Sequence, residues 1–370
     1  MAKHIYIHIP FCEAKCPYCD FYSEAGRPVS VMMDVMHAMA DEISGLDASD
    51  EIETIYFGGG TPSVWQTGMI PFLMDKIHGH FRVASDAEIT VEVNPSSLDA
   101  AKAHDYRSCG VNRISVGVQS MHDDCLKTLG RLHNAEKALK CIDILHDNGF
   151  SNISADLIIA VPGQRLDDVI NDLHTLADWD IKHISTYSLT LEKGTPFYKR
   201  YADMIDDLVP PDKERAMYHA LRAELIRLGY LPYEISNSCI PGFTSRHNSS
   251  YWEGEEYYGI GPGAHGYIDG TRYYHENELG RYLQDPAVTI VEEVLDKDAM
   301  MHEYPYLKLR TFAGIDVLEF EKRFGVEFMS VFGEAVAKNV AEGLLISDGK
   351  NVMLTEKGID WSNKVFEDFL

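Results

Sequence analysis

Residues 11–21 read FCEAKCPYCDF and place Cys12, Cys16 and Cys19 on one short segment with the spacing C-x3-C-x2-C. The segment directly follows the first predicted strand, residues 4–9, in which apolar and polar residues alternate. Three thiolates on one loop can ligate three irons of a [4Fe–4S] cluster and leave one iron open. Free thiols on an exposed loop would oxidise without a metal. The spacing therefore predicts a redox-active iron–sulfur cluster.

A zinc site is the alternative interpretation of the same cysteines. Structural zinc usually takes four protein ligands, often in pairs of the C-x2-C type. His8 stands four residues before Cys12 and could supply a fourth ligand. The spacing favours iron and sulfide over zinc, and both alternatives stay open at this point.

The composition indicates a folded and strongly acidic protein. The 370 residues are 45% hydrophobic, and 58 Asp and Glu against 33 Lys and Arg give a net charge of −25. Such a surface repels phosphate backbones, so nucleic acid is not an expected partner. The sequence shows no signal peptide and no apolar run long enough for a transmembrane helix, which needs about 18 residues. We therefore expect a cytoplasmic protein without a membrane anchor.

The cysteine count argues against a disulfide framework. Seven cysteines are present, an odd number, and three of them belong to the motif. A lone cysteine in a cytosolic protein usually behaves as a small buried apolar residue. That is the expected role of the four others, Cys109, Cys125, Cys141 and Cys239.

From residue 4 to about 190, short β-rich runs alternate with longer runs of helical periodicity. Strands separated by helices predict βαβ units and a parallel sheet, and six units with right-handed crossovers are typical of a partial barrel. The predicted fold class is therefore α/β, a partial (β/α)6 barrel. The predicted strands are 4–9, 54–57, 88–93, 113–118, 153–158 and 183–189, and the predicted helices include 31–43, 69–80, 135–148 and 166–177.

Several of these strands alternate apolar with polar residues, although buried parallel strands normally read as apolar runs. Glu92 and Asp156, for example, each stand between two apolar neighbours. The alternation indicates one face under the helices and one polar face toward an occupied interior. In parallel β/α folds, ligands lie at the C-terminal ends of the strands.

We predict three domains. Residues 1–190 form the barrel, residues 191–295 are an elaboration rich in Tyr, Gly and Pro, and residues 296–370 form a mainly helical unit similar to a winged helix. Winged helices often bind DNA, but this one carries more acidic than basic residues, which favours a packing role.

The cysteine motif after the first strand resembles that of the radical S-adenosylmethionine superfamily. The stretch GGGTP at residues 58–62 follows the second predicted strand, where that superfamily has a glycine-rich turn against the cofactor. The resemblance implies that S-adenosylmethionine chelates the open iron and that an electron from the cluster cleaves its sulfonium, with a reductant such as flavodoxin or ferredoxin as a partner. It leaves open whether this cleavage is catalytic or regulatory.

Within the superfamily, the whole chain resembles the oxygen-independent coproporphyrinogen III oxidase-like group. By that resemblance, the residues that contact S-adenosylmethionine are Tyr6, Tyr18, Gly59, Gly60, Thr61, Glu92, Gln119, Arg131 and Asp156. Each also has a structural interpretation. Tyr6 could simply pack, Glu92 and Arg131 could form a surface ion pair, and Asp156 could cap a turn.

Three features favour the HemW-type haem chaperones over the dehydrogenase of the same group. The dehydrogenase has a fourth cysteine two residues after the motif, where this chain has Phe21, and a longer arm before it. The stretch HNSSYW at residues 247–252 also resembles the H-N-x-x-Y-W motif of HemW-type proteins. The resemblance implies haem as a ligand, haemoproteins as recipients, and His247, or as a lesser candidate His265, as the haem ligand. Radical decarboxylation of coproporphyrinogen III is the alternative function.

Overall fold

Six parallel strands form the centre of the computed structural model, which describes residues 2–370. Each strand pairs with the next along the chain, so the predicted α/β fold class with successive βα units is confirmed. The strands are β1 (His4–Ile9), β2 (Glu51–Gly59), β3 (Arg82–Val93), β4 (Arg113–Gln119), β5 (Ile153–Ile159) and β6 (His183–Ser188).

The alternation seen in the sequence separates the two faces of this sheet. Ile5, Ile7 and Ile9 of β1 are fully buried in the main hydrophobic core, which they share with the surrounding helices. Tyr6 lies on the opposite face, where its ring stacks on Tyr56 of β2 with centroids 6.2 Å apart. The polar and aromatic face therefore lies opposite the face that packs in the main core, as predicted, and His247 of the helix Arg246–Glu253 stacks on it.

Helices connect the parallel strands. One of them, Ala100–Ser108, is not among the helices named from the sequence. Only Ala103 and Tyr106 of its nine residues are buried, so its apolar periodicity is weak. A short 3-10 helix, Pro62–Val64, follows the glycine-rich turn after β2. The helices of this part are α1 (Val29–Gly45), α2 (Met69–His80), α3 (Ala100–Ser108), α4 (Asp123–Thr128), α5 (Ala135–Asp147) and α6 (Leu166–Asp178).

The segment after β6 adds strands to both edges of the sheet. Two short strands, β7 (Leu231–Pro232) and β8 (Asn237–Cys239), extend the β6 edge. On the other edge, β9 (Tyr257–Ile260) pairs parallel with β1 and begins an antiparallel meander of β10 (His265–Ile268), β11 (Thr271–Tyr274) and β12 (Ile290–Val294). The helices of this segment are α7 (Pro196–Tyr201), α8 (Ile205–Leu208), α9 (Pro211–Arg227), α10 (Arg246–Glu253) and α11 (Leu279–Gln284).

The C-terminal segment has a hydrophobic core of its own, built mainly from phenylalanines such as Phe320 and Phe332. Its last two helices meet at Trp361, whose ψ of 24° lies outside the helical range. Its elements are α12 (Lys297–Leu309), β13 (Ile315–Asp316), α13 (Val317–Phe324), α14 (Phe328–Ala341), β14 (Leu345–Ser347), β15 (Asn351–Leu354), α15 (Glu356–Asp360) and α16 (Ser362–Glu367).

Candidate functional site

The three motif cysteines lie on a loop that is tied at its base. The loop leaves β1 and is closed by a short parallel pairing of Phe11–Cys12 with Glu24–Ala25. Within the loop, the backbone N–H of Cys19 donates to the carbonyl oxygen of Cys16 at 3.1 Å. All three thiols are free and half-buried. The fold thus places three cysteine thiols on one loop at the C-terminal end of the first parallel strand.

The glycine-rich turn after β2 packs directly against the start of this loop. The backbone N–H of Gly60 donates to the carbonyl oxygen of Ile9 at 2.8 Å. A Cβ atom at Gly60 would lie 2.7 Å from the carbonyl oxygen of Phe11, and one at Gly59 would lie 2.7 Å from the ring of His8. Gly59 also has a φ of +104°, which favours glycine. We call the segment with the three motif cysteines, residues 11–21, the cluster loop. Close packing against it requires glycine at both positions, whether or not a ligand also approaches the turn.

A cavity of about 460 Å³, which we call the polar cavity, opens beside the cluster loop at the C-terminal ends of β2 to β6. This is the edge of the sheet at which ligands bind in parallel β/α folds. One of the motif cysteines, Cys19, lines it. So do eight of the nine residues predicted to contact S-adenosylmethionine: Tyr18, Gly59, Gly60, Thr61, Glu92, Gln119, Arg131 and Asp156.

Four carboxylate residues line the polar cavity, and two of them, Glu92 and Asp156, lie on its parallel strands. The hydroxyl of Tyr56 donates to Glu92 Oε1 at 2.7 Å, and Ser115 donates to Asp156 at 3.3 Å. Burial raises the pKa of both carboxyl groups, that of Glu92 to about 7, although the buried cation Arg113 opposes the shift at each. The remaining oxygen lone pairs can accept hydrogen bonds from the amine or hydroxyl groups of a ligand.

Gln119 and Arg131 lie where β4 ends. Gln119 has a φ of +67°, a left-handed conformation that costs a non-glycine residue about 1–3 kcal/mol and often marks a functional site. Arg131 donates through Nη2 to the carbonyl oxygen of Gly117 at 2.9 Å and through Nη1 to Cys16 Sγ at 3.5 Å. Arg131 therefore joins the strand end to the cluster loop, instead of forming the ion pair with Glu92 considered from the sequence.

Tyr6 is the predicted cofactor contact that does not line the polar cavity. Its hydroxyl lies 3.1 Å from His8 Nδ1, and it lines a second cavity that shares Asp20 and Phe21 with the polar cavity. Sequence reasoning assigned its strand face correctly, and its contact with S-adenosylmethionine stays a prediction. Sequence reasoning missed Asn94 and Tyr187, which line the polar cavity; both stand at or just after the C-terminal end of a parallel strand, which was the available signal.

His247 of the HNSSYW stretch is enclosed in the interior. It is 1% exposed and its ring stacks on Tyr56 with centroids 5.0 Å apart. Its Nδ1 lies 2.6 Å from Thr54 Oγ1 and its Nε2 lies 2.9 Å from the hydroxyl of Tyr251. Both ring nitrogens therefore have hydrogen-bond partners, and this geometry disfavours the haem ligation predicted for His247.

The cysteine loop fits an iron–sulfur cluster by the chemistry of its donors. Burial raises the pKa of the Cys19 thiol, and the neighbouring Cys16 and Cys12 raise it further. A metal centre would hold such a thiol as the thiolate. Within residues 2–370, no group of three or more His, Cys, Asp or Glu side chains is arranged around a single metal-ion position.

Comparison with known proteins gives the chain a family. The profile of the radical SAM superfamily matches residues 6–176, and that of the HemN C-terminal domain matches residues 295–361. Proteins named Heme chaperone HemW are similar over the full length. That of Lactococcus lactis is 37% identical over 99% of this chain and 96% of its own length; that of Bacillus subtilis is 34% identical over 100% and 99%. The chain belongs to the HemW family.

The fold of this HemW family member is also that of a solved radical SAM enzyme. The structure of coproporphyrinogen III oxidase (HemN) from Escherichia coli superimposes with a TM-score of 0.85 and covers 99% of this chain and 89% of its own chain. The two sequences are 22% identical, so the comparison establishes the fold alone. None of the helices in the described part of the chain is both long and apolar enough to cross a membrane.

Proposed function

We propose that this protein is a haem chaperone that carries a [4Fe–4S] cluster and S-adenosylmethionine, binds haem and delivers it to recipient haemoproteins. The observation that carries the proposal is the full-length similarity to proteins named Heme chaperone HemW. Phe21 supports it as well, because the related dehydrogenase has a fourth cysteine there by the resemblance described above.

The chain supplies a separate element for each part of the cofactor site. Cys12, Cys16 and Cys19 would ligate three irons, and S-adenosylmethionine would occupy the polar cavity against the fourth. When bound, the cluster supplies the electron that cleaves the sulfonium of the cofactor. Glu92 and Asp156 would accept hydrogen bonds from the amine and hydroxyl groups of S-adenosylmethionine.

Arg131 would stabilise the cluster electrostatically. Its guanidinium already contacts Cys16 Sγ, and an iron–sulfur cluster ligated by three thiolates carries negative charge. Because Nη2 of Arg131 is held by the carbonyl oxygen of Gly117, this cation is fixed between the cluster loop and the end of β4. Loss of the side chain should therefore shift the reduction potential of the cluster to a more negative value.

The test begins with the full chain reconstituted anaerobically with iron and sulfide. We expect iron and sulfide in cluster stoichiometry, one haem per chain in a spectroscopic titration, and transfer of that haem to an apo-haemoprotein. Zinc without iron or sulfide would support the zinc alternative and contradict the cluster.

The same preparation separates the chaperone from the alternative enzyme. With reductant, S-adenosylmethionine and coproporphyrinogen III, we expect no protoporphyrinogen. Decarboxylation of the substrate by a preparation that does not bind haem would overturn the proposal in favour of the dehydrogenase.

A further inference from the structure

A second cavity of about 360 Å³ lies next to the polar cavity, and we call it the aromatic cavity. It is lined by residues of β1 and β9, which pair in parallel inside the sheet. Asp20 and Phe21, just after the last motif cysteine, line both cavities. Phe21 is 65% exposed, which is unusual for so large an apolar side chain. The walls otherwise consist mainly of rings: Tyr6, Tyr22, Tyr251, Tyr257 and His265.

His265 is the histidine of this cavity that has a nitrogen free for a ligand. Its side chain is 57% exposed, and its Nδ1 lies 3.3 Å from Glu292 Oε2. A proton on Nδ1 donated to that carboxylate leaves the lone pair of Nε2 free, the arrangement typical of metal-binding histidines. His8, which also lines the cavity, has both nitrogens engaged, with the Tyr6 hydroxyl and the Tyr22 carbonyl oxygen.

The backbone around His265 is closely packed. The ring of His265 stacks on its cross-strand partner Tyr274 with centroids 5.4 Å apart. A Cβ atom at Gly259 would lie 1.8 Å from the carbonyl oxygen of His265, and one at Gly263 would lie 2.9 Å from the ring of Tyr22. Glycines therefore allow this hairpin to pack closely and to lie against the cluster loop.

We propose that the aromatic cavity is the haem site and that His265 Nε2 is the axial ligand of the haem iron. Flat aromatic walls suit the macrocycle, and an imidazole whose other nitrogen is bound by a carboxylate is a strong ligand. The inference rests on the proposed function, because it names the site of the haem that a chaperone would carry.

The same geometry gives the HNSSYW stretch a different role from the one predicted. The Nε2 atom of His247 holds the hydroxyl of Tyr251, and Tyr251 lines the aromatic cavity and packs edge-on against Tyr257 at 4.8 Å. His247 is thus a positioning residue that orients one wall of the haem site from inside the protein.

The small volume of the aromatic cavity suits a haem that is bound reversibly. A cavity of about 360 Å³ is near the lower end of the range for small-molecule sites. It would hold part of the macrocycle and leave the rest exposed. One exposed ligand on an open surface allows a recipient protein to reach the iron and replace His265.

The test is a spectroscopic haem titration of the full-length protein with single variants. We expect His265→Ala to lose the absorbance and electron paramagnetic resonance signature of histidine ligation, and added imidazole to restore it in His265→Gly. Glu292→Gln should weaken haem binding roughly tenfold, because the carboxylate that orients the imidazole is lost. His78→Ala, an exposed histidine at the end of α2, is the matched control and should behave as wild type.

His247→Ala distinguishes ligation from positioning. We expect it to lower haem affinity while the signature of histidine ligation persists. An unchanged signature in His265→Ala, or its loss only in His247→Ala, would overturn the assignment of His265 while leaving the chaperone proposal intact. Failure of the wild-type protein to bind haem at all would instead contradict the proposed function.

Discussion

The two cavities that share Phe21 as a lining residue differ in the other side chains that line them. The polar cavity presents two half-buried carboxylates, Glu92 and Asp156, on parallel strands. The aromatic cavity presents tyrosine rings and the exposed imidazole of His265 beside the pairing of β1 with β9, inside the sheet. Carboxylates suit a small ligand with amine and hydroxyl groups, whereas rings and an imidazole suit a flat metal macrocycle. One loop can therefore divide the binding surface between two unlike ligands.

The largest expected effect separates the cluster from the haem site. Cys16→Ala removes one of the three proposed sulfur ligands. We therefore expect the reconstituted variant to lack the visible charge-transfer absorbance of the cluster. Haem binding at His265 should persist, because Cys16 does not line the aromatic cavity. Cys109→Ala, another half-buried free cysteine, should keep the cluster. If Cys16→Ala lost both the cluster and haem binding, the two ligands would not occupy independent sites.

The next effect concerns the polar cavity alone. Glu92→Gln should weaken binding of S-adenosylmethionine by about 1.5–3 kcal/mol, roughly tenfold or more, because it removes a charged hydrogen-bond acceptor. Glu136→Gln on the exposed face of α5 should have no effect. Calorimetry on the cluster-loaded protein measures the affinity of each variant for S-adenosylmethionine. Equal affinities of Glu92→Gln and the wild type would exclude Glu92 from the cofactor site.

The pH dependence of the same binding follows from the pKa of Glu92, which burial raises to about 7. Below that pKa the carboxyl group is protonated and is a poorer acceptor for an ammonium group. Affinity for S-adenosylmethionine should therefore rise as pH increases from about 6 to about 8. This increase in affinity with pH should be absent in Glu92→Gln. If the increase persists in that variant, another titratable group causes it.

A smaller effect tests the junction between the glycine-rich turn and the cluster loop. Gly60→Ala would place a Cβ 2.7 Å from the carbonyl oxygen of Phe11, so we expect a loss of about 1–3 kcal/mol in the free energy of unfolding. Gly79→Ala in α2 meets no atom within 4 Å and should stabilise the helix by about 0.5–1 kcal/mol. Urea denaturation compares the two, and equal effects would show that the turn is not tightly packed.

The smallest effect is expected at the shared wall. Phe21→Ala should change the free energy of unfolding by less than about 0.5 kcal/mol, because the side chain is mostly exposed. It should lower haem affinity a few-fold by removing aromatic contact, worth about 0.5–1.5 kcal/mol. Trp361→Ala, an exposed aromatic in the C-terminal segment, is the control. Unchanged haem affinity in Phe21→Ala would place the macrocycle elsewhere.

The sequence alone predicted the parallel strands well, because the alternation of Ile5, Ile7 and Ile9 with polar residues marks both the strand and its two faces. The meander of β9 to β12 was not predicted, since its strands are four or five residues long and rich in Gly and Tyr. Short strands of that kind carry little periodicity.

Some of the candidate site residues could likewise be placed from the sequence, and others could not. Glu92, Gln119 and Asp156 lie together because the ends of parallel strands meet at one edge, which the order of elements already implies. The environment of His247 could not be read from its motif, because its partner Thr54 lies 193 residues earlier in the chain. Hydrogen bonds over such separations depend on the complete fold.

One titration tests whether the two cavities are separate sites. Haem is added to the cluster-loaded protein with and without saturating S-adenosylmethionine, and the haem stoichiometry is read from its absorbance. We predict one haem per chain in both cases, because the polar and the aromatic cavity share only Asp20 and Phe21 among their lining residues. Displacement of haem by S-adenosylmethionine would contradict separate sites and place both ligands in one cavity.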